Sequence, residues 1–370
     1  MKFRRVELTD YRNYTEEKLF VSPGINILLG PNAQGKTNLL EAVFYAALGR
    51  SHRTNTDAEL IRWEREGARM RFCFSRLGVE NELEFRIFRG RRREIEKNGH
   101  DVRMKDIIGS VCVVLFSPED LFLVKGAPAG RRRFLDMEIS QADASYFYDL
   151  AVYARLLSQR NKLLKRVRDG AAEEKELSVW DAQLVPRAVS VMKKRLVSVG
   201  RIGELADMAQ RELSAGQERL SASYEVFGLE GRDPMTIDLI SWYNNMLAES
   251  TRLDILRGST RFGPHRDDLV LSVNGADLRS YGSQGQQRTG ALALKLAELE
   301  FFHEETGEYP VLLLDDVMSE LDRNRREKLL DFIRAKDIQT IVTATDEAYF
   351  PPEISADIYD VRNGTIRRKG

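Results

Sequence analysis

Lys36 and Thr37 close the run Gly30-Pro31-Asn32-Ala33-Gln34-Gly35-Lys36-Thr37, whose spacing of two glycines ahead of a lysine and a hydroxyl fits a phosphate-binding loop. The glycines let backbone N–H groups turn inward around a polyphosphate. The helix that begins at Asn38 offers free N–H donors and the positive end of its dipole. Lys36 is placed to reach the β- and γ-phosphates of a nucleoside triphosphate, and Thr37 to set its hydroxyl on a magnesium ion. Late in the chain, the apolar run Val311-Leu312-Leu313-Leu314 ends in Asp315-Asp316. A buried strand beside the phosphate loop would carry Asp315 to the magnesium ion and Asp316 to where an attacking water sits.

A third segment, Ser283-Gln284-Gly285-Gln286-Gln287, precedes an Ala- and Leu-rich helix over 289–302 and forms a second anion-directed helix end. Two such ends facing one nucleotide within one molecule would be redundant. Two molecules placed head to tail could each supply one half, which makes nucleotide binding and dimerisation a single event.

These residues need a strand–loop–helix unit and a parallel neighbour to position them, and the patterning supplies both. Apolar residues 27–29 read as a buried strand, and the pairs 39/43, 40/44 and 44/48 have helical spacing. Residues 3–8 and 18–21 read as strands around the turn Tyr11-Arg12-Asn13-Tyr14. Alternation over 69–74 and 82–88, with the tight-turn pair Asn98-Gly99, predicts an antiparallel sheet, and Val111–Phe116 a further buried strand. From about 130 to 215 the periodicity is helical. One stripe runs through Leu150, Tyr153, Ala154, Leu157 and Leu164, and a second through Leu184, Val191, Met192 and Leu196, with a break at Arg168-Asp169-Gly170. Pro186 should bend the second helix or reset its start. Residues 216–258 carry weak signals, and strand character returns from Arg261, with Asn274-Gly275 as another hairpin pair. The expected organisation is α/β: a P-loop ATPase head with an antiparallel β subdomain and a compact helical insert. Residues 1–128 form its N-terminal part, 129–258 the helical lobe and 259–370 its C-terminal part.

A chain of 370 residues with 57 Lys+Arg against 57 Asp+Glu has no overall attraction to nucleic acid, so any DNA-binding surface must be a local patch. Candidate patches are Arg89–Arg93 and Arg131–Arg133, with Lys162, Lys165, Arg166, Lys193, Lys194 and Arg195, although a solvated charged face explains each equally well. No apolar run approaches the roughly 18 to 20 residues that span a bilayer, and the N-terminus lacks a signal-like stretch, so the cytoplasm is the expected location. Cys73 and Cys112 read as buried thiols, and His265-Arg266-Asp267-Asp268 as a hydrogen-bonded turn in preference to a metal or nuclease site.

With Lys36, Ser283–Gln287 and Asp315-Asp316 in this order, the chain resembles the ATPase heads of chromosome-maintenance proteins, of the ABC type, with Asp322 in the position of their D-loop. Tyr11-Arg12-Asn13-Tyr14, Phe116–Leu121, Arg131–Asp136, Arg261–Leu269 and Ser283–Thr289 resemble the RecF family of replication and repair proteins, nearly end to end. That resemblance implies ATP and magnesium as cofactors, ATP-dependent homodimers, and binding to double-stranded DNA near single-strand gaps. It also implies work with RecR and RecO to load RecA. It places Gly30 to Asn38, with Arg12 and Asn13, at the nucleotide, Asp316 and Lys36 in catalysis, Thr37 and Asp315 on the metal, and Ser283, Gln284, Gly285 and Gln286 in trans. DNA-contacting residues are not assigned by it. Where the wider pattern has a glutamine, this chain has Ser117-Pro118-Glu119-Asp120, with Gln141 too far along to replace it. Thr345 stands for a switch histidine and Asp316 for a glutamate. A shorter base without that histidine points to slow hydrolysis, suited to a timed switch. An ATPase subunit of a membrane transporter would need the glutamine loop and a coupling surface, and a chromosome-structuring ATPase would need a far longer helical insert.

Overall fold

The computed structural model describes residues 1–369 and divides into two compact units, residues 1–120 with 298–370, and residues 121–297.

The first unit holds two six-stranded sheets. In the core sheet the strands Ala356–Arg362, Ile25–Leu29, Thr340–Ala344, Val311–Asp315 and Val113–Phe116 lie side by side in parallel, and Thr365–Arg368 adds an antiparallel edge. The central strands are buried on both faces and largely apolar, as parallel strands covered on both sides are. Helix Lys36–Leu48 leaves the end of Ile25–Leu29 and is buried from Leu39 to Leu48. The second sheet is antiparallel, in the order Tyr14–Phe20, Lys2–Tyr11, Gly67–Arg76, Val79–Phe88, Glu94–Lys97, His100–Asp101. Its alternation sends Phe3, Phe72, Phe74 and Phe85 inward, where Phe85 meets Tyr45 of the helix edge-on at 5.1 Å between ring centroids. On the outer face Glu84 is nearly enclosed by Arg69, Arg71 and Arg86. Burial pushes its carboxyl up, but hydrogen bonds from Arg69 and Arg71 prevail and hold it at about 2. Cys112 is buried, whereas Cys73 is only half-buried: it lies on the sheet's outer, charged face.

The second unit packs helices Pro128–Ala142, Ala144–Arg168, Leu177–Leu213 and Leu239–Arg257 with a three-stranded antiparallel sheet, Ala276–Asp277, Asp268–Val273, Leu220–Glu225. Because Asp268–Val273 pairs with Leu220–Glu225, residues 259–297 belong to this unit, and the boundary expected after 258 falls inside it. Helix Leu177–Leu213 runs through Pro186 without a new start, at the cost of the hydrogen bond to the carbonyl of residue 182. The buried stripe of Ala144–Arg168 is Tyr146, Asp149, Tyr153, Leu156, Arg160, Leu163 and Leu164. The stripe expected from apolar residues alone is rotated from it, leaving Ala154 exposed, because buried charges occupy core positions.

Those charges are matched. Arg160, fully buried, bonds Asp181 at 2.6 Å and both Asp254 and Thr260 at 2.8 Å, tying three helices together. Arg195 reaches Asp136, Tyr146, Tyr224 and the Pro264 carbonyl. Arg131 forks onto Asp268 at 2.8 and 2.6 Å. Arg131 and Arg195 are therefore committed inside the unit, and neither alternative for their basic runs, a phosphate contact or a solvated face, describes them. The expected turn covers only the start of the 265–268 segment: the Arg266 amide donates to the Gly263 carbonyl at 2.8 Å, and Asp268 already opens a strand. His265 sits 2.6 Å from the Tyr153 hydroxyl and 3.1 Å from the Thr260 carbonyl, and burial lowers it to about 4. Asp267 accepts from Tyr224 and from the Phe227 amide, and burial raises it to about 6. Arg160→Met should destabilise the protein by about 3 to 5 kcal/mol, the cost of stranding a buried carboxylate. Adding Asp254→Asn should recover part of that loss in urea unfolding. A loss under about 1 kcal/mol would show that the network carries little stability.

Candidate functional site

The parallel register brings the chemistry-bearing residues together. Ile25–Leu29 and Val311–Asp315 flank Thr340–Ala344, so the phosphate loop and the two carboxylates emerge at the same strand ends, the place where open α/β sheets bind ligands. Asn32, Ala33, Gly35, Lys36, Thr37, Asn38, Asp315 and Asp316 line one cleft of about 390 Å³. Thr37 Oγ1 donates to Asp315 Oδ1 at 2.9 Å, and Thr343 Oγ1 donates to the same oxygen at 2.9 Å. Lys36 bends over the loop to the carbonyls of Gly30 and Pro31. Burial lowers the Lys36 ammonium, against the opposing pull of Asp316 and Asp315.

Gly35 has φ of 119°, and a Cβ there would stand 2.7 Å from the Asn13 amide nitrogen and 3.0 Å from the Tyr14 hydroxyl. A side chain is excluded twice, by conformation and by contact. Asn13 donates to the Gln34 carbonyl and accepts from Asn38, each at 2.9 Å, while the Tyr14 hydroxyl donates to the Gly35 carbonyl at 2.9 Å. Asn13 thus shapes the loop from outside the cleft. Arg12 forks onto Glu41 at 2.9 and 2.7 Å and reaches the Glu59 carbonyl, and it is not among the residues that line the cleft. Burial pushes Glu41 up, but the hydrogen bonds from Arg12 and Ser51 outweigh it and keep the carboxyl below its ordinary range.

Asp316 stands in the left-handed backbone region, φ 55°, rare for a residue with a side chain. Its amide donates to Thr343 Oγ1 at 2.9 Å. Its Oδ1 is buried without a hydrogen-bond partner among the described residues. Strain and an unpaired acceptor together set Asp316 apart from the other residues that line the cleft. Ser117, Pro118 and Glu119 line the same cleft, so the segment that replaces the expected glutamine does reach the site, with a carboxylate at the rim. Thr343 lines it in place of Thr345, which is exposed.

Sequence reasoning missed Arg53, Thr343 and Glu41. Arg53 lines the cleft and donates to Asn38 Oδ1 at 2.9 Å. Only the strand register aligns Thr343 with Asp315, and no spacing in the chain announces it. A magnesium ion fits the Thr37 hydroxyl and Asp315 carboxylate, two oxygens of the hard type it prefers, with phosphate oxygens and water completing its shell. When bound, it would neutralise charge on the phosphates.

Ser283, Gln284, Gly285 and Gln286 lie in the second unit, at the start of helix Gln284–Thr306. The Ser283 hydroxyl accepts from the Gln286 amide and the Gln286 side chain accepts from the Ser283 amide, a reciprocal cap. Ser283 to Gly285 are exposed, and a Cβ on Gly285 would meet nothing closer than the Ser283 hydroxyl at 3.8 Å. Asp322 caps helix Arg323–Ala335, accepting from the Arg325 amide at 2.9 Å.

Residues 2–365 match the RecF/RecN/SMC N-terminal domain. The chain is 44% identical over 375 residues to the DNA replication and repair protein RecF of Heliobacterium modesticaldum, covering 100% of this chain and 99% of that one. The chain belongs to the RecF family. A solved structure of the recombination mediator protein RecF with ATPrS, of the RecFOR pathway, superposes with TM-score 0.91 at 34% identity, over 100% of this chain and 98% of that one. The Smc head domain of Pyrococcus furiosus, at 16% identity and TM-score 0.55 over 99% of this chain and 95% of that one, shares the fold. The fold is thus the head type that the family members show, with its antiparallel sheet and helical unit.

Lys36→Met keeps the bulk of the side chain and removes charged hydrogen bonds, each worth about 1.5 to 3 kcal/mol. Affinity for a nucleoside triphosphate should fall at least about tenfold in a calorimetric titration. An unchanged titration would remove the loop from the binding site.

Proposed function

We propose that this chain is an ATP-dependent DNA-binding clamp of recombinational repair. It binds ATP with magnesium in the cleft around Lys36, dimerises on ATP, and holds double-stranded DNA near single-strand gaps. There it works with RecR and RecO to load RecA. The relatives' names supply replication and repair, and a solved structure of RecF with ATP, of the RecFOR pathway, supplies the pathway and the nucleotide. The observation that carries the reading is the outward-facing cap at Ser283–Gln286: a helix N-terminus with its own donors partly arranged and its glycine open to an approaching group. In the dimer, this end closes over the γ-phosphate held by Lys36 of the other copy, with Asp322 beside the shared surface.

Within each site the chain's own groups divide the work. The loop amides and Lys36 hold the β- and γ-phosphates, Thr37 and Asp315 hold the metal, and Thr343 fixes the Asp315 carboxylate that receives it. Asp316, with an unpaired acceptor oxygen, orients the attacking water and takes its proton. A carboxylate one methylene shorter than glutamate, and Thr345 in place of histidine, give slow turnover, so hydrolysis ends a bound state and does not drive motion. Among the described residues no helix is long and apolar enough to cross a membrane.

Light scattering should show monomers converting to dimers with ATP and magnesium. Ser283→Arg should abolish the dimer while the monomer still binds ATP through its own loop, the affinity losing only the part that dimerisation adds. A dimer without nucleotide, or a dimer that survives Ser283→Arg, would refute the shared site. Binding to gapped duplex should weaken steeply with salt, because a neutral protein meets DNA through a local basic patch that displaces counterions. A flat salt titration would place the contact elsewhere than on phosphates.

A further inference from the structure

The phosphate loop is gripped from its outer side by the last hairpin of the chain, strands Ala356–Arg362 and Thr365–Arg368. The Gln34 carbonyl accepts from the Gly364 amide at 3.1 Å and from the Asn13 side chain at 2.9 Å. The Gln34 side-chain oxygen accepts from the Asn363 amide at 2.8 Å, across 329 positions of sequence. At the other end of the loop, a Cβ on Gly30 would lie 2.4 Å from the Val361 carbonyl, so the strand and the loop are in backbone contact there as well.

Peptide geometry turns this grip into a statement about the cleft. In a trans peptide the carbonyl of one residue and the amide of the next point in opposite directions. Fixing the Gln34 carbonyl outward on Asn13 and Gly364 therefore fixes the Gly35 amide toward the other side, and Gly35 lines the cleft. We infer that the turn Arg362–Thr365 is a positioning element of the phosphate loop, setting the aim of the Gly35 amide and with it the affinity for the nucleotide. The inference rests on the reading of this cleft as the ATP site.

The turn can be tested without touching the loop. Gly364 has φ of 71°, and a Cβ there would stand 2.5 Å from the Asn13 carbonyl, so Gly364→Val must push the turn off the loop. Asn363 has φ of 50°, so Asn363→Gly keeps both the conformation and the amide donor and serves as the conservative control. Two readouts are needed: ATP affinity with turnover at saturating ATP, and amide hydrogen exchange without nucleotide. For Gly364→Val, ATP affinity should fall about tenfold, the scale of one or two hydrogen bonds, with saturated turnover within about twofold. Exchange should rise over residues 30–37 while the core strands stay protected, and Asn363→Gly should behave as the parent. Unchanged exchange over 30–37 in Gly364→Val would overturn the inference. So would an equal rise across the whole core sheet, which would make the hairpin only a fold element, or a loss of turnover with affinity unchanged. If the parent itself fails to bind ATP, the ATP reading falls and the exchange comparison still decides whether the turn holds the loop.

Discussion

The hydrogen bond from Thr37 to Asp315 joins two segments 278 positions apart at 2.9 Å, and the site exists only because the fold can make it. Neither segment is a site alone. A glycine loop without a carboxylate beside it is a phosphate cradle with no place for a metal, and an apolar strand ending in Asp-Asp is an ordinary strand end. The parallel core sheet supplies the proximity by setting Thr340–Ala344 between their strands, so that Thr343 can brace the same carboxylate oxygen that Thr37 touches. The arrangement also explains where strain is tolerated. Asp316 takes a left-handed conformation directly after the strand, turning its carboxylate out of the sheet and into the cleft, at a cost of order 1 to 3 kcal/mol that a well-packed core can absorb.

Charge is used in the same economical way. The chain has as many acids as bases, and many of its arginines are spent internally: on Glu84 across the outer face of the antiparallel sheet, on Glu41 behind the phosphate loop, and on Asp136, Asp254 and Asp268 among the helices. Such pairs add little to stability when exposed and fix geometry when buried. The basic residues left to attract a polyanion are correspondingly fewer than composition suggests, which keeps any DNA contact local and sensitive to salt.

Features encoded by neighbouring residues were legible in the sequence. The loop from Gly30 to Thr37, the strand ending at Asp315 and the turns at Asn98-Gly99 and Asn274-Gly275 each declare themselves within a few positions. Features that depend on what meets across the fold were not. Arg131 and Arg195 sit in runs that look solvated, and only their partners reveal that they are core residues. Helix Leu239–Arg257 gave a weak signal because its buried face ends in Ser250 and Asp254, polar residues that dilute the apolar period while serving Arg160. Thr343 depends on strand register, and the grip of Asn363 and Gly364 on Gln34 depends on two ends of the chain meeting. The compact units differ from the boundary expected after residue 258 for the same reason, since the pairing of two distant strands draws 259–297 into the second unit.

In the proposed function the cleft's chemistry serves as a timer, with the ATP-bound dimer holding DNA until Asp316 lets water attack. Asp316→Asn keeps the shape and one oxygen but cannot take a proton, so single-turnover hydrolysis should slow by about 10² or more. The same variant should still form the dimer and should stay on gapped DNA longer than the parent. If Asp316→Asn hydrolyses ATP at the parental rate, or leaves DNA sooner, the account of this site as a hydrolysis-timed clamp is wrong.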